Sequence, residues 1–240
     1  MRLRIDFAAS IPKDVASPEL NEDAWAHNEE LTCIALSDGA SESFDSRTWA
    51  NSLVSKYVFD QRFKAAWVEE AVREYAQSID FDNLGWAAQR AFERGSFATF
   101  LGLKLAENGT DLDILCVGDS LAMHVRRGAV LDTYPFQQPE EFDAHPTLIS
   151  TRREANQFLD ESGFFSKAST TWTVAPGDVV YIATDAVGHW LLTEAVTCAE
   201  TMETLQGLNV ETEFQALVLD LRNVHRMKLD DSTLIRLVVE

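Results

Sequence analysis

The sequence lacks an apolar run long enough to cross a bilayer, which excludes a membrane-spanning helix. Its opening residues, Met1-Arg2-Leu3-Arg4-Ile5-Asp6, carry two basic side chains with no apolar signal core behind them, so a soluble, cytoplasmic protein is expected. Cysteine is scarce: Cys33, Cys116 and Cys198 are few, odd in number and widely spaced, which argues against a disulfide framework or a zinc knuckle. Cys33 and Cys116 sit inside apolar runs and read as small core residues. Basic residues are also few, 20 Lys and Arg against 39 Asp and Glu, a net charge of -19. That field disfavours nucleic acid and anionic membranes as partners. It does not steer a phosphorylated substrate inward either, so any phosphate recognition needs local cations. No internal repeat, low-complexity tract or linker interrupts the chain. With 46% hydrophobic residues, 240 residues suffice for a substantial core in one large domain or two small ones.

Periodicity gives a coarse order of elements. Leu3, Ile5 and Phe7 alternate in a strand over 2–8, and Leu31–Ser37 is a short apolar run ending at Asp38-Gly39. Trp49, Leu53 and Tyr57 recur every fourth residue and predict a helix from Ser46 to Phe59; Ala65–Ser78 and Leu84–Arg94 read as further helices. Four strand-like segments follow, Ala98–Ala106, Leu112–Cys116, Leu121–Arg127 and Ala129–Thr133, the last two joined by the turn Arg127-Gly128, and they read as one antiparallel meander. Pro135–Ser150 holds three prolines and reads as an irregular loop, a candidate flap or a plain connector. Arg152–Glu161 reads as a short helix, Ser169–Val174 and Val179–Ala183 as strands, Ala186–Cys198 and Glu211–His225 as helices, and Ser232–Val239 as a closing strand. Strict βαβ alternation does not fit; antiparallel sheets with helices packed outside do.

Short acidic motifs stand out against this pattern: Asn21-Glu22-Asp23-Ala24, Ser37-Asp38-Gly39, Gly118-Asp119-Ser120, Ala183-Thr184-Asp185 and Asp230-Asp231-Ser232-Thr233. The last four abut apolar, strand-like runs. Singly each is weak: an Asp before a helix is ordinarily a cap, and Asp-Asp before a strand a solvated turn. Together they imply carboxylates gathered at one sheet edge, where they repel unless hard cations neutralise them.

In this order the motifs resemble those of the metal-dependent Ser/Thr protein phosphatases of the type-2C (PPM) family, in its minimal bacterial form, and the resemblance runs from Asn21 to Val239. It implies an α+β fold, a four-layer αββα sandwich of two antiparallel β-sheets flanked by helices, with residues 1–240 as a single phosphatase domain. It implies two Mg²⁺ or Mn²⁺ ions. Asp38 would bridge them, Asp185 and Asp230 would complete one site, and Glu22 with the carbonyl of Gly39 would serve the other, largely through water. Asp23 would orient the site from behind, and Asp119 would help hold a weak third ion. The residue types agree with that chemistry. Two hard cations about 3.5–4 Å apart share a water, lower its pKa and direct its attack on phosphorus, and oxygen-only ligands suit Mg²⁺ or Mn²⁺. The substrate implied is a phosphoserine or phosphothreonine protein, a kinase or its target.

The chain departs from the family pattern at five points, one of them Ala186, where the motif Ala-Thr-Asp-Gly has its glycine, which keeps the ligand Asp185 but changes the turn. The phosphate-holding Arg that many members carry four residues before the Glu is Pro18, with Lys13 as a substitute candidate or merely a solvated lysine. A His proposed as general acid is Ala40. The Asp four residues after Asp185 is His189, which puts the third ion in doubt unless the imidazole is a ligand. Gly-Asp-Ser is followed by Leu121 in place of Arg. These losses support an alternative, a catalytically degenerate phosphatase-like domain that binds a phosphoprotein or partner without turnover. Another two-metal phosphoesterase is a third reading. Gly118-Asp119-Ser120-Leu121 also spells a lipase signature, but it lies mid-chain and has no Asp-x-x-His partner to supply the base a serine nucleophile requires.

Overall fold

The computed structural model describes residues 1–240. In chain order its strands and helices are β1 (Leu3–Ile11), β2 (Asp23–His27), β3 (Cys33–Asp38), α1 (Ser46–Phe59), α2 (Ala65–Ser78), α3 (Trp86–Arg94), β4 (Phe97–Ala98), β5 (Phe100–Leu105), β6 (Asp111–Val117), β7 (Leu121–Arg126), β8 (Ala129–Tyr134), β9 (Ile149–Ser150), α4 (Phe164–Lys167), β10 (Ser169–Thr173), β11 (Val179–Ala183), α5 (Asp185–Trp190), α6 (Ala199–Gly207), α7 (Glu211–Asn223) and β12 (Ser232–Val239). Two five-stranded antiparallel sheets, ordered β1-β12-β11-β7-β8 and β10-β6-β5-β3-β2, form the frame. A short β4–β9 ribbon lies beside them.

Three apolar layers hold these sheets and helices together. Leu36, Leu101 and Ile114 from one sheet meet Ile182, Ile235 and Leu237 from the other in a buried layer between the sheets. Trp49, Leu53 and Tyr57 of α1, with Trp67 and Tyr75 of α2, cover the outer face of the β3-β5 sheet. Trp190, Leu205, Phe214 and Val218 cover the opposite sheet from outside. The result is the helix–sheet–sheet–helix stack that the motifs imply. Each fully buried Leu, Ile or Phe contributes about 1.5–3 kcal/mol relative to exposure, so these layers dominate the cohesion of the fold.

Local irregularities explain how single strands serve two layers. The pairing of β1 with β12 slips by one residue between Ile5 and Phe7. Leu3 and Ile5 therefore face the inter-sheet layer, while Phe7, Ala9 and Ile11 face the helices, although all five are odd-numbered. The expected meander is also divided. β5 pairs with β6 in one sheet and β7 with β8 in the other, and β6 and β7 are not neighbours. The chain changes sheet at Gly118-Asp119-Ser120, where Gly118 has φ +108, a conformation that a side chain resists. Period-2 patterning marks strands but not which sheet each joins, so this crossing was hidden from the sequence.

Most predicted elements are present, α1, α2, β11 and β12 with the expected ends. The helix expected over 186–198 is instead α5 followed by a wider π turn at Leu191–Ala195, and α6 follows as a separate helix that the periodicity did not predict. Cys33 and Cys116 are buried, as expected, and Cys198 is exposed. Within the 135–150 segment Phe142 is buried and packs its ring 4.7 Å from that of Phe136 and 5.8 Å from the His189 imidazole. No helix is long and apolar enough to cross a membrane.

Candidate metal centre

Antiparallel pairing brings the acidic motifs to one edge. Asp23 opens β2 opposite Asp38, which closes β3. Asp185 follows the end of β11, whose last residue Ala183 pairs with both Leu121 and Leu234, the residues just after the Gly118-Asp119-Ser120 crossing and the Asp230–Thr233 turn. Strand ends that pair must coincide in space, so residues far apart in sequence meet by register alone.

The loops at this edge are tied together by hydrogen bonds. Asp23 Oδ2 accepts from Thr233 Oγ1 at 2.6 Å and from Thr184 Oγ1 at 3.1 Å, which links β2 of one sheet to β11 and β12 of the other. Asp231 accepts from the backbone N–H of Lys13 through Oδ1 and of Glu22 through Oδ2, each at 2.7 Å. Buried Arg222 donates to the carbonyl of Pro12 at 2.9 Å, to Ser232 Oγ at 2.9 Å and to the carbonyl of Asp230. Thr99 Oγ1 accepts from the Asp38 N–H at 2.9 Å and lies 3.0 Å from Ser120 Oγ. Gly39 runs so close to α1 that an added Cβ would sit 2.9 Å from the Ser46 backbone.

Electrostatics shows how crowded the edge is. Burial drives the Asp38 carboxyl well above the ordinary range, and Asp23, Asp185, Asp230 and Asp119 push the same way. Asp23 is raised to about 8 by burial, with Asp231 and Asp185 adding to it against the lowering by its threonine donors. Burial and Asp185 raise Asp119 to about 6, and the same two causes raise Asp230. Asp23 Oδ1 is buried without a hydrogen-bond partner.

Two lysines reach these carboxylates directly, whereas Arg222 spends its guanidinium on carbonyls and Ser232. Lys228 Nζ lies 3.0 Å from Asp185 Oδ2, and Asp185, Asp119 and Asp230 raise its pKa against the lowering by burial. Lys13 Nζ lies 3.2 Å from Glu22 Oε2 and 2.6 Å from Ser41 Oγ, and the hydroxyls of Ser41 and Ser46 also donate to Glu22. Lys13 is thus held against Glu22 and Ser41, with its side chain about one-third exposed. No three His, Cys, Asp or Glu side chains enclose a common point as they stand. Glu22 and Asp185 instead turn to lysine and hydroxyl donors, as mutually repelling carboxylates do. The donor chemistry still suits a hard divalent ion: oxygen ligands, an excess of negative charge at Asp38 and an unpartnered oxygen on Asp23.

The structure brings together Asp23, Asp38, Asp119, Asp185 and Asp230, with Glu22 beside Asp23 and its backbone carbonyl accepting from the Gly39 N–H at 3.3 Å. His189 packs against Phe142. The sequence reading gave no role to Lys228, Asp231, Thr184, Thr233 or Arg222. Asp231, Thr184 and Thr233 lay inside the quoted motifs, whereas Lys228 and Arg222 carried no local signal.

Comparison with known proteins now bears on this geometry. No family model matches the chain, and no curated protein matches its sequence. Solved structures do match its fold. The photosystem II phosphatase PBCP has a TM-score of 0.63 over 99% of both chains at 16% identity. The serine/threonine phosphatase PstP/Ppp of Mycobacterium tuberculosis has a TM-score of 0.62 over 100% of both at 19% identity. The catalytic domain of PstP in complex with two manganese ions has a TM-score of 0.60 over 98% of this chain and 97% of that one, at 19% identity. The chain therefore has the fold of the metal-dependent Ser/Thr protein phosphatases that its motifs resemble.

Proposed function

We propose that this chain is a cytoplasmic Mg²⁺- or Mn²⁺-dependent phosphatase of phosphoserine and phosphothreonine in proteins, with residues 1–240 as one catalytic domain. The observation that carries the reading is Asp38: it ends a strand among four other carboxylates, all of which disfavour its charge. A cluster of that kind is costly unless cations are drawn to it. Asp38, Asp185 and Asp230 would hold one ion, Asp38, Glu22 and the Gly39 carbonyl a second, and Asp119 a weaker third. Bound there, the ions would lower the pKa of a water toward neutrality and offset charge on the phosphoryl oxygens. A neighbour of the same fold was solved with two manganese ions, which supports this cofactor.

The chain's own residues hold the framework. Asp23 keeps the two sheet edges together through Thr184 and Thr233. Asp231 fixes the backbones that carry Lys13 and Glu22. Lys13, whose ammonium stands at Glu22, takes the role of holding the substrate phosphate that Pro18 cannot fill. With Ala40 in place of an imidazole, the departing serine or threonine oxygen takes its proton from water. The physiological substrate would be a Ser/Thr kinase or its target in a signalling pathway.

One observation favours the second reading, a binding module without turnover: lysines already neutralise Asp185 and Glu22. Hydrolysis of a phosphothreonine peptide with and without MnCl₂ separates the two. Turnover that requires Mn²⁺ and is abolished in D38N supports the enzyme. Peptide binding with no turnover at saturating Mn²⁺ supports the module.

A further inference from the structure

Lys228 lies on the loop between α7 and β12, with a side chain 55% exposed, while its partner Asp185 is 10% exposed. This is not an ordinary surface ion pair. One member, Asp185, is buried at the start of α5, and two further carboxylates, Asp119 and Asp230, act on the same ammonium. Lys228 is therefore the local counter-charge for three acids. The charges that weigh most on the Asp38 carboxyl are those of Asp23, Asp185, Asp230 and Asp119.

We propose that Lys228 is a built-in competitor for the divalent cation at the Asp185–Asp230 end of the site. The inference rests on the metal-dependent reading above. An ion arriving at Asp185 Oδ2 meets an ammonium 3.0 Å from that oxygen. Two cations cannot share that position, because at such range their repulsion in a partly desolvated site outweighs what one oxygen gains from either. The ion binds only when the ammonium leaves. Leaving is feasible because the lysine stem is flexible and its far side is open to solvent. The apparent metal affinity is then the intrinsic affinity reduced by the fraction of molecules whose lysine is withdrawn. Lys228 thereby stabilises the metal-free protein and sets the cation concentration at which the site fills.

Isothermal titration calorimetry with MnCl₂ alone tests this without reference to turnover. K228M is expected to bind Mn²⁺ roughly tenfold or more tightly than wild type. K228Q, which keeps a hydrogen-bond donor for Asp185 without the charge, is expected to do the same and covers the case in which K228M fails to fold. K228R retains the charge and should stay near wild type. R226Q removes an equal charge two residues away, where Arg226 pairs with Glu194, and should change affinity less than about twofold. In melting experiments, K228M should be less stable than wild type in EDTA and equal to it at saturating Mn²⁺. Affinity in K228M and K228Q equal to wild type, or shifted no more than in R226Q, overturns the proposal and leaves the metal reading standing. Absence of Mn²⁺ binding in wild type and variants alike overturns both.

Discussion

Replacing Asp23 with Asn isolates the charge cost built into this site. The carboxyl is held to about 8 instead of 3.8, chiefly by burial and then by Asp231 and Asp185. The sign follows from linkage. Below the unfolded value both states are protonated and the group contributes nothing to the balance. Between the two values the unfolded chain ionises while the folded one keeps its proton, so stability falls as pH rises, until the full penalty is reached above the folded value. A displacement of about four pH units at about 1.4 kcal/mol each gives an upper limit near 6 kcal/mol. Part of the relief is offset because the Asn amide group takes the place of the buried Oδ1, which has no hydrogen-bond partner, and is left without an acceptor. The expected gain for D23N at pH 8.5 is therefore about 2–4 kcal/mol. The Asn carbonyl oxygen can still accept from Thr184 and Thr233, so the tie between the sheets survives. Urea denaturation in EDTA from pH 5 to 9 is the assay. Wild type should lose stability across that range and D23N should lose much less, with the gap narrowing toward pH 5 and closing only near pH 4. A D23N protein that is less stable than wild type at every pH would refute the reasoning, because it would mean that the ionised carboxylate is the better bridge.

Two further perturbations separate framework from site. Asp178 is a buried carboxylate that accepts from His124 at 2.8 Å and from Arg126 at 2.7 and 2.8 Å; burial raises its pKa, but Arg126, the Ala175 N–H and His124 pull it well below the ordinary range. Its stabilisation is complete above pH ~4 and is lost as pH falls toward its folded value, so D178N should lose about 2–4 kcal/mol at pH 7 and show a shallower acid-side decline in denaturation measured from pH 6 to 2. Gly39→Ala would drive a Cβ to 2.9 Å from the backbone of Ser46, whose hydroxyl donates to Glu22; it should cost about 1–3 kcal/mol in a thermal melt and weaken Mn²⁺ binding measured by calorimetry.

The parts of this molecule that were legible in sequence are those fixed by local periodicity or by residue type. The i, i+4 stripe of Trp49, Leu53 and Tyr57 predicted α1 with its ends, because burial of one face leaves a regular trace. The acidic motifs marked the strand ends, and antiparallel register did the rest. What stayed hidden depends on partners distant in the chain. The one-residue slip in β1 exchanges the faces of its odd residues without altering the apolar pattern. The sheet change at Gly118 looks in sequence like any hairpin turn. Lys228 and Lys13 are 215 positions apart in numbering and serve carboxylates contributed by other loops; only their proximity in space distinguishes them from the other lysines of the surface.

The most direct test of the account is a manganese anomalous-difference map from crystals grown in MnCl₂. Two peaks are expected on either side of Asp38, one reached by Asp185 and Asp230 and the other lying toward Glu22 and Gly39, with the Lys228 ammonium withdrawn from Asp185. A fully ordered site at saturating Mn²⁺ with no peak at Asp38, and with Lys228 still paired to Asp185, would contradict it.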